Sequence, residues 1–578
     1  MILESLANEL LLDLFSYLDT NDLFHAFYNL NTRFKQLLFV HCQLSGYLNL
    51  QLISQTTFRI ICQDYLPHIL AQISSIHLSD DDETPGQIDV FLSYGFQLSH
   101  LTHLKFLTLT YISSESILTA MITSLHQLVH LTHLKIRQCS IDHNSLNNNR
   151  LFDQLWSLNN LTHFDFQRHK QLWKPFFIAP NVSSSSIRSL YLEGFSYNSQ
   201  QLHHLLAHTN NLIDLKIDVD YNYDHEQISL EMYRIERLKI FVQFSSSVTS
   251  HLLRRMANLT DLTIELANVF MDGDQWKEII HNHLSCLKKF RMKMEFILRG
   301  NHQDRQGQIG RLVDSFRDPF WIYQHRWYVQ CHWYASNKSS KAYLYTIPYY
   351  SKELVLLGDL QMKSTCPNEK ISWCFDNVED LVVKSSTCSL IRFSYLKHLK
   401  VTFPLDDCFY SSVWNVRQVK SLNVFLAKDV NSSIHLHNLV QQATILYSLT
   451  LTGEMLSKEI LYDLQNSSIR RLDLCDIGCF DGEDCDKLTC CYLGIQCEVL
   501  WITVKDRRSI LTLINEMANM RVLNVRLQDD QWRRDSEQLL RRDELIQWLK
   551  ESLLLLSSSC IVRRECMPSI SHVQIWIR

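Results

Sequence analysis

The sequence predicts an α/β chain: a short all-helical N-terminal segment, then an irregular solenoid with a parallel concave sheet and a helical outer layer. Three observations lead there. The first 45 residues carry apolar side chains at helical period. Most of the remainder repeats one phrase, apolar-x-x-apolar-x-apolar, at starts mostly 23 to 30 residues apart. Gly (13) and Pro (9) are scarce among 578 residues, which disfavours tight hairpins and flexible linkers. A chain this long either divides into domains or extends as an array.

Within residues 1–45, Leu10, Leu11, Leu14, Phe15 and Leu18 share one face at helical spacing. Asn8 or Ser5 is placed to cap this first helix. Thr20 or Asn21 is placed to cap a second, carrying Leu23, Ala26, Phe27 and Leu30. Asn31 or Thr32 is placed to cap a third, with Phe34, Leu37 and Leu38. Three helices this short bury little surface alone, so they must lean on other parts of the chain or on a partner.

This segment resembles the F-box family. The family pattern matches Leu3, Leu6, Glu9, Leu14, Phe15, Leu18, Asp22 and Leu23, and residues 31–34 (Asn-Thr-Arg-Phe) sit where it has a polar residue, a base and an aromatic. Ala7 stands where the family usually has proline, and Phe34 where tryptophan is common. The match covers about a twelfth of the chain. The resemblance implies that Leu6, Ala7, Glu9, Leu10, Leu14, Phe15, Leu18 and Leu23 meet a Skp-type adaptor, and through it a cullin ligase core. A helical cap covering the end of the solenoid is the other reading, since repeat arrays require such caps.

The repeating phrase starts at Ile73, Leu101, Leu131, Leu161, Ile187, Leu212, Ile235, Leu259 and Leu287. It resumes at Val378, Leu396, Val419, Leu446, Ile469, Cys497 and Met520, with Ile570 as a possible close. Phrase positions 4 and 6 point inward from a short strand, and position 1 buries as the chain enters it. Residues 199–206, 249–256 and 510–517 have helical patterns suited to the outer layer. Period and phrase resemble the leucine-rich-repeat family. That family usually has Asn or Cys at position 9; here Cys139 fits, whereas Leu109, His169, Phe195, Glu454 and Ile477 do not. The domains expected are therefore 1–47, F-box-like, and 48–578, a leucine-rich-repeat-like solenoid.

Residues 300–377 interrupt the phrase. A helix is expected over 310–316. Trp327, Val329, Cys331 and Trp333 alternate with Tyr328, Gln330, His332 and Tyr334, and a second run holds Tyr343, Tyr345 and Ile347. With the polar SNKSS between them, they read as a hairpin. Degenerate repeats continuing the sheet explain this stretch better than an aromatic ligand-binding insertion.

Net charge is −5, which gives no overall footprint for nucleic acid or anionic lipid. No apolar run approaches a membrane span, and the first residues lack a basic n-region. A cytoplasmic or nuclear setting follows as an expectation, with the 17 cysteines mostly buried thiols. No phosphate loop, His-Glu-x-x-His or Gly-x-Ser-x-Gly motif occurs. The cluster Cys475, Cys479, Cys485, Cys490, Cys491 and Cys497 lacks Cys-x-x-Cys spacing. His103, His133 and His163 read as one repeat position.

No enzyme, cofactor or metal is expected. Positions 3, 5 and 7 of each phrase face the concave side. They nominate His133, Lys135, Arg137, Arg237, Lys239, Lys289, Arg291, Lys293 and Trp501 for holding an unknown substrate protein, although neighbouring opposite charges can equally pair across strands. The implied function is substrate recruitment for ubiquitin transfer. The alternative is a leucine-rich-repeat interaction scaffold unconnected to ubiquitination.

Overall fold

A computed structural model of the chain describes residues 3–112, 114–139, 150–168, 177–219, 232, 234–243, 246–334, 341–357, 360–367, 374–384, 393–403, 416–427, 430–453, 458–528, 530, 543–554, 560–567 and 570–577. The fold is mixed α/β, with two largely parallel sheets and helices between many of the successive strands. It divides into two compact units, Met1–Ile240 with Trp576–Arg578, and Phe241–Ile575.

Unit 1 begins with helices α1 (Asn8–Phe15), α2 (Thr20–Phe27) and α3 (Thr32–Ser45). Strands follow in sequence order: β1 (Tyr47–Asn49), β2 (Ser75–Ser79), β3 (Phe106–Thr110), β4 (His133–Cys139), β5 (His163–Arg168), β6 (Ser189–Glu193), β7 (Asp214–Val219) and β8 (Arg237–Gln243), on which the unit ends. From β1 to β7 the pairings are parallel and in register, with Tyr47, Ser75, Phe106, His133, His163, Ser189 and Asp214 side by side. Parallel neighbours need a crossover, and at many of the links a helix supplies it.

That register revises the second repeat. Phe106, not His103, pairs with His133, so the phrase there starts at Leu104 and not at Leu101. His103 is consequently not equivalent to His133 and His163, and Leu109 is a buried position 6. The duplicated Leu-x-x-Leu spacing of residues 101–109 allows both readings; only strand pairing decides. Two strands escape the phrase altogether. In β1 and in β13 (Glu353–Leu356), position 1 is Ser45 or Ser351, while positions 4 and 6 remain leucines.

In unit 2, β9 (Asp261–Ala267) and β10 (Lys289–Ile297) run parallel, Asp261 opposite Lys289. The next strands are β11 (Val329–Tyr334), β12 (Lys341–Thr346) and β14 (Leu360–Ser364). Here β12 lies antiparallel to β10, β11 to β12, and β14 to β11. The expected β11–β12 hairpin pairing is present, whereas its SNKSS link lies outside the described residues. The stretch 300–377 does not continue the parallel repeats at β11, β12 and β14; only β13 does so. Its helix is longer than expected, His302–Ser315, because Asn301 caps it through the Asp304 amide.

The other strands of unit 2 are β15 (Asp380–Val383), β16 (His398–Thr402), β17 (Ser421–Leu426), β18 (Ser448–Gly453), β19 (Arg471–Asp476), β20 (Val499–Val504), β21 (Val522–Leu527), β22 (Ile561–Met567) and β23 (Ile570–Trp576). β13 leads them, and the pairings from β13 through β15 to β21 are parallel. The expected outer helices occur as Ser199–Ala207, Ser246–Leu253 and Arg507–Glu516.

Position 1 is buried in all the aligned phrases, from Ile73 and Leu104 to Cys497 and Met520. Each such side chain contributes roughly 1.5–3 kcal/mol when covered. Two devices recur at the turns that end the strands. The position 8 amide of one strand donates to the position 7 carbonyl of the next, as in Asp80 to Thr110 (3.0 Å), Tyr111 to Arg137 (2.9 Å) and Phe403 to Phe425 (3.0 Å). Position 8 also turns left-handed at Leu52, Tyr111, Gln138, Gly194 and Gly453. His169 and Glu454 lie outside the described residues.

At Gly453 (φ +98°) an added Cβ would stand 2.3 Å from the Leu426 carbonyl oxygen. Gly453→Ala is therefore expected to destabilise unit 2 by at least about 1–2 kcal/mol, read as a lowered thermal midpoint.

Candidate protein-interaction surfaces

Helices α1 to α3 pack around a small aromatic centre. Phe27 stacks on Phe34 at 5.3 Å and meets Phe15 at 4.8 Å. Phe34, where tryptophan is common in the resembling family, is fully buried. The bundle rests on the following segment through Phe24 against Tyr65 (5.0 Å) and through Thr20, whose hydroxyl accepts from the Asn49 amide (3.3 Å).

Capping differs from expectation at two helices. Asp19, not Thr20 or Asn21, caps α2 through the Asp22 amide. Ala7 occupies the N-cap of α1 and offers no side chain. Arg33 holds the segment that enters α1: it donates to the Leu6 carbonyl (2.6 Å) and the Asn8 side chain (2.7 Å), and also to the Glu4 carbonyl (2.5 Å). Asn31 caps α3, as expected, and donates to Glu4 (2.8 Å).

The nominated adaptor residues separate into two sets. Leu10 is 55% exposed, and Leu14, Leu18 and Tyr17 are also exposed on the same stripe of α1 and the turn after it. Ala7 and Glu9 are exposed and Leu6 is half-buried. Phe15 and Leu23 are not available: they are 0% and 3% exposed and fill the bundle interior. A helical period marks a face only to within one neighbour: Leu10 and Leu11, like Leu14 and Phe15, stand about 100° apart on the helix, and the boundary between exposed and buried falls between them.

Among the strand faces, charge is largely paired across strands. Arg137 bridges Asp165, Arg237 bridges Asp214 (3.1 Å), and Lys216 bridges Glu193 (2.5 Å). Asp214 also accepts from Tyr191 (2.7 Å). In unit 2 Arg291 bridges Asp261 (3.6 Å). Lys135, Lys239 and Lys289 are exposed. Lys293 is half-buried and lies over the Tyr349 ring at 5.9 Å. Burial pulls its ammonium down, and Tyr349 with Glu265 pulls it up by more. Trp501 is likewise half-buried, with its ring 4.7 Å from His572.

The aromatic stretch 300–377 covers β10 with its own side chains. Tyr345, Tyr349 and Phe375 are buried together, Tyr345 meeting Tyr349 at 4.9 Å. His332 is buried among them, 3.4 Å from the Tyr345 hydroxyl, and desolvation holds its imidazole down at about 3. β11 is buried along its whole length, so the described aromatic side chains here form a packed layer.

Cys475, Cys485 and Cys497 are buried thiols pushed up to about 12 by desolvation, and Cys491 accepts from the Gly494 amide at a helix start. Among the described residues no group of three or more His, Cys, Asp or Glu is placed to hold a metal. No described helix is long and apolar enough to cross a membrane. No family model matches the chain, and no curated protein matches it.

Ala7 sits at φ −62°, an angle proline holds already. Ala7→Pro is expected to raise stability by about 0.4–1 kcal/mol, read by thermal unfolding. For His332 the folded-state imidazole titrates far below the unfolded value of about 6.5. The unfolded chain then binds the extra proton, so stability is full above that value and falls as pH drops toward about 3. His332→Phe is expected to make that decline shallower in denaturation curves taken across the same pH window.

Proposed function

We propose that the chain is a substrate-recognition adaptor of a Skp–cullin–F-box type ubiquitin ligase. On this reading α1 to α3 dock on a Skp-type adaptor, and the strand–helix array, read as an irregular leucine-rich-repeat solenoid, recruits a target protein. The observation that carries it is the exposed stripe of Leu10, Leu14, Tyr17 and Leu18 on a bundle whose interior is already filled. Apolar side chains aligned on one face and left open to water are the signature of a surface completed by a partner.

The supporting features are local. Arg33 fixes the entry to α1, so the stripe is presented by a rigid helix start. The in-register parallel strands beyond β1 provide a regular face, the kind of extended surface on which repeat proteins bind others. Chemistry is supplied by other ligase subunits in this scheme, and the chain itself acts as a non-enzymatic receptor without a cofactor. The setting that goes with it is cytoplasmic or nuclear.

Full-length chain carrying both Leu10→Asp and Leu14→Asp is expected to lose capture by a purified Skp-type adaptor by about tenfold or more, since desolvated apolar anchors dominate such interfaces. Its thermal midpoint should stay near that of the parent, because neither side chain is in the core. Equal capture of the double variant, or no capture of the parent chain, overturns the reading.

A further inference from the structure

Strands β3, β4 and β5 place three rings at the same repeat position. Phe106 lies 4.3 Å from His133, and His133 lies 4.0 Å from His163 with the imidazoles 9° from parallel. Phe106 and His163 are exposed and His133 is half-buried, so the ladder forms part of the surface of unit 1.

Each imidazole has a hydroxyl partner at Nδ1. The Thr132 hydroxyl lies 2.9 Å from His133 Nδ1 and 3.1 Å from the Lys105 carbonyl. The Thr162 hydroxyl lies 2.8 Å from His163 Nδ1 and 3.1 Å from the Thr132 carbonyl. With Nδ1 engaged by its threonine, Nε2 is the ring nitrogen left to meet a ligand.

The charged groups acting on the pair are mostly cationic: Lys135 of β4, Arg188 just before β6 and Arg237 of β8, with Asp214 of β7 as the anion. Asp165 and Asp214 are engaged by Arg137 and Arg237. Lys135 remains as an exposed cation beside the ladder. Two parallel imidazole planes cannot converge on one metal ion, which sets metal binding aside.

We propose that the Phe106–His133–His163 ladder with Lys135 is a docking strip for an acidic peptide segment, bound with uptake of protons onto the histidines. Aromatic or apolar residues of the segment lie on the rings, and its carboxylates meet Lys135 and the newly protonated imidazoles. Charge complementarity selects this occupant: the free charge is positive, and the acidic neighbours are already neutralised. Burial first, then the mutual effect of His163 and Lys135, holds the His133 imidazole near 4, so it is neutral in the unbound chain. A carboxylate at Nε2 raises that value, and affinity must increase as pH falls. The inference deepens the recruitment reading by naming the class of segment recruited. Its test uses no Skp-type adaptor, so it can fail while the ligase reading stands, and the reverse.

The experiment is fluorescence polarisation on the full chain with a fluorescein-labelled decapeptide of alternating glutamate and tyrosine, at about pH 6 and about pH 8. Binding at least about fivefold tighter at the lower pH is expected, weakened about tenfold by Lys135→Glu. The double variant His133→Phe, His163→Phe keeps the ring ladder but removes the proton sites; it should bind with little pH dependence beyond that of a scrambled control protein. No binding by the parent chain, equal binding of a lysine–tyrosine decapeptide, pH dependence that survives the double variant, or preference for a single-stranded oligonucleotide overturns the proposal.

Discussion

Burial of positions 1, 4 and 6 behind each short parallel strand is the constraint from which both units follow. A strand of five to seven residues such as β2 or β4 cannot cover these side chains by itself. It needs the next strand in register and a helix behind. The in-register rule is visible from Tyr47 through Asp214 in unit 1 and from Glu353 through Val522 in unit 2. Because the side-chain period of a strand is two, a slip of one residue would turn the leucines outward. The position 8 turn, left-handed at Gly194 and Gly453 and amide-bonded to the next strand at Asp80 and Tyr111, ends each strand without disturbing that register.

The same constraint sets what the exterior can do. Positions 3, 5 and 7 are relieved of core duty, and their polar groups answer chiefly to one another, as in Arg137 with Asp165 and Arg237 with Asp214. Exposed ion pairs of this kind contribute little to stability, but they remove charge from the surface. What remains open on the β3–β5 face is the ring ladder and Lys135. In unit 2 the Tyr345–Tyr349–Phe375 layer takes over the corresponding places near β10 and draws Lys293 inward.

Much of the fold was legible because apolar position 1 is a strong signal. It failed where that residue is serine, at Ser45 and Ser351, and where leucines are doubled, at Leu101 and Leu104. The helix faces of α1 were legible to within a neighbour: Leu10 and Leu14 face out, whereas Phe15 and Leu23 are interior, a distinction that only packing against Phe27 and Phe34 establishes. Arg33 gave a sign of its place in the Asn-Thr-Arg-Phe string, yet its work on the Leu6 carbonyl and Asn8 depends on a fold-back over 25 or more residues, which no local pattern reports. Cross-strand charge pairing was foreseeable in kind, and the specific partners were not.

The central claim is that α1 is a docking helix for a ligase adaptor and not merely the end cap of a repeat array. Amide hydrogen exchange on the full-length chain, with and without a purified Skp-type adaptor, tests it most directly. Protection gained over the backbone of α1 and α2, with β1 to β5 unchanged, is the result expected of a docking bundle. Unchanged exchange over α1 and α2 in the presence of saturating adaptor, or protection confined to the strands, contradicts it.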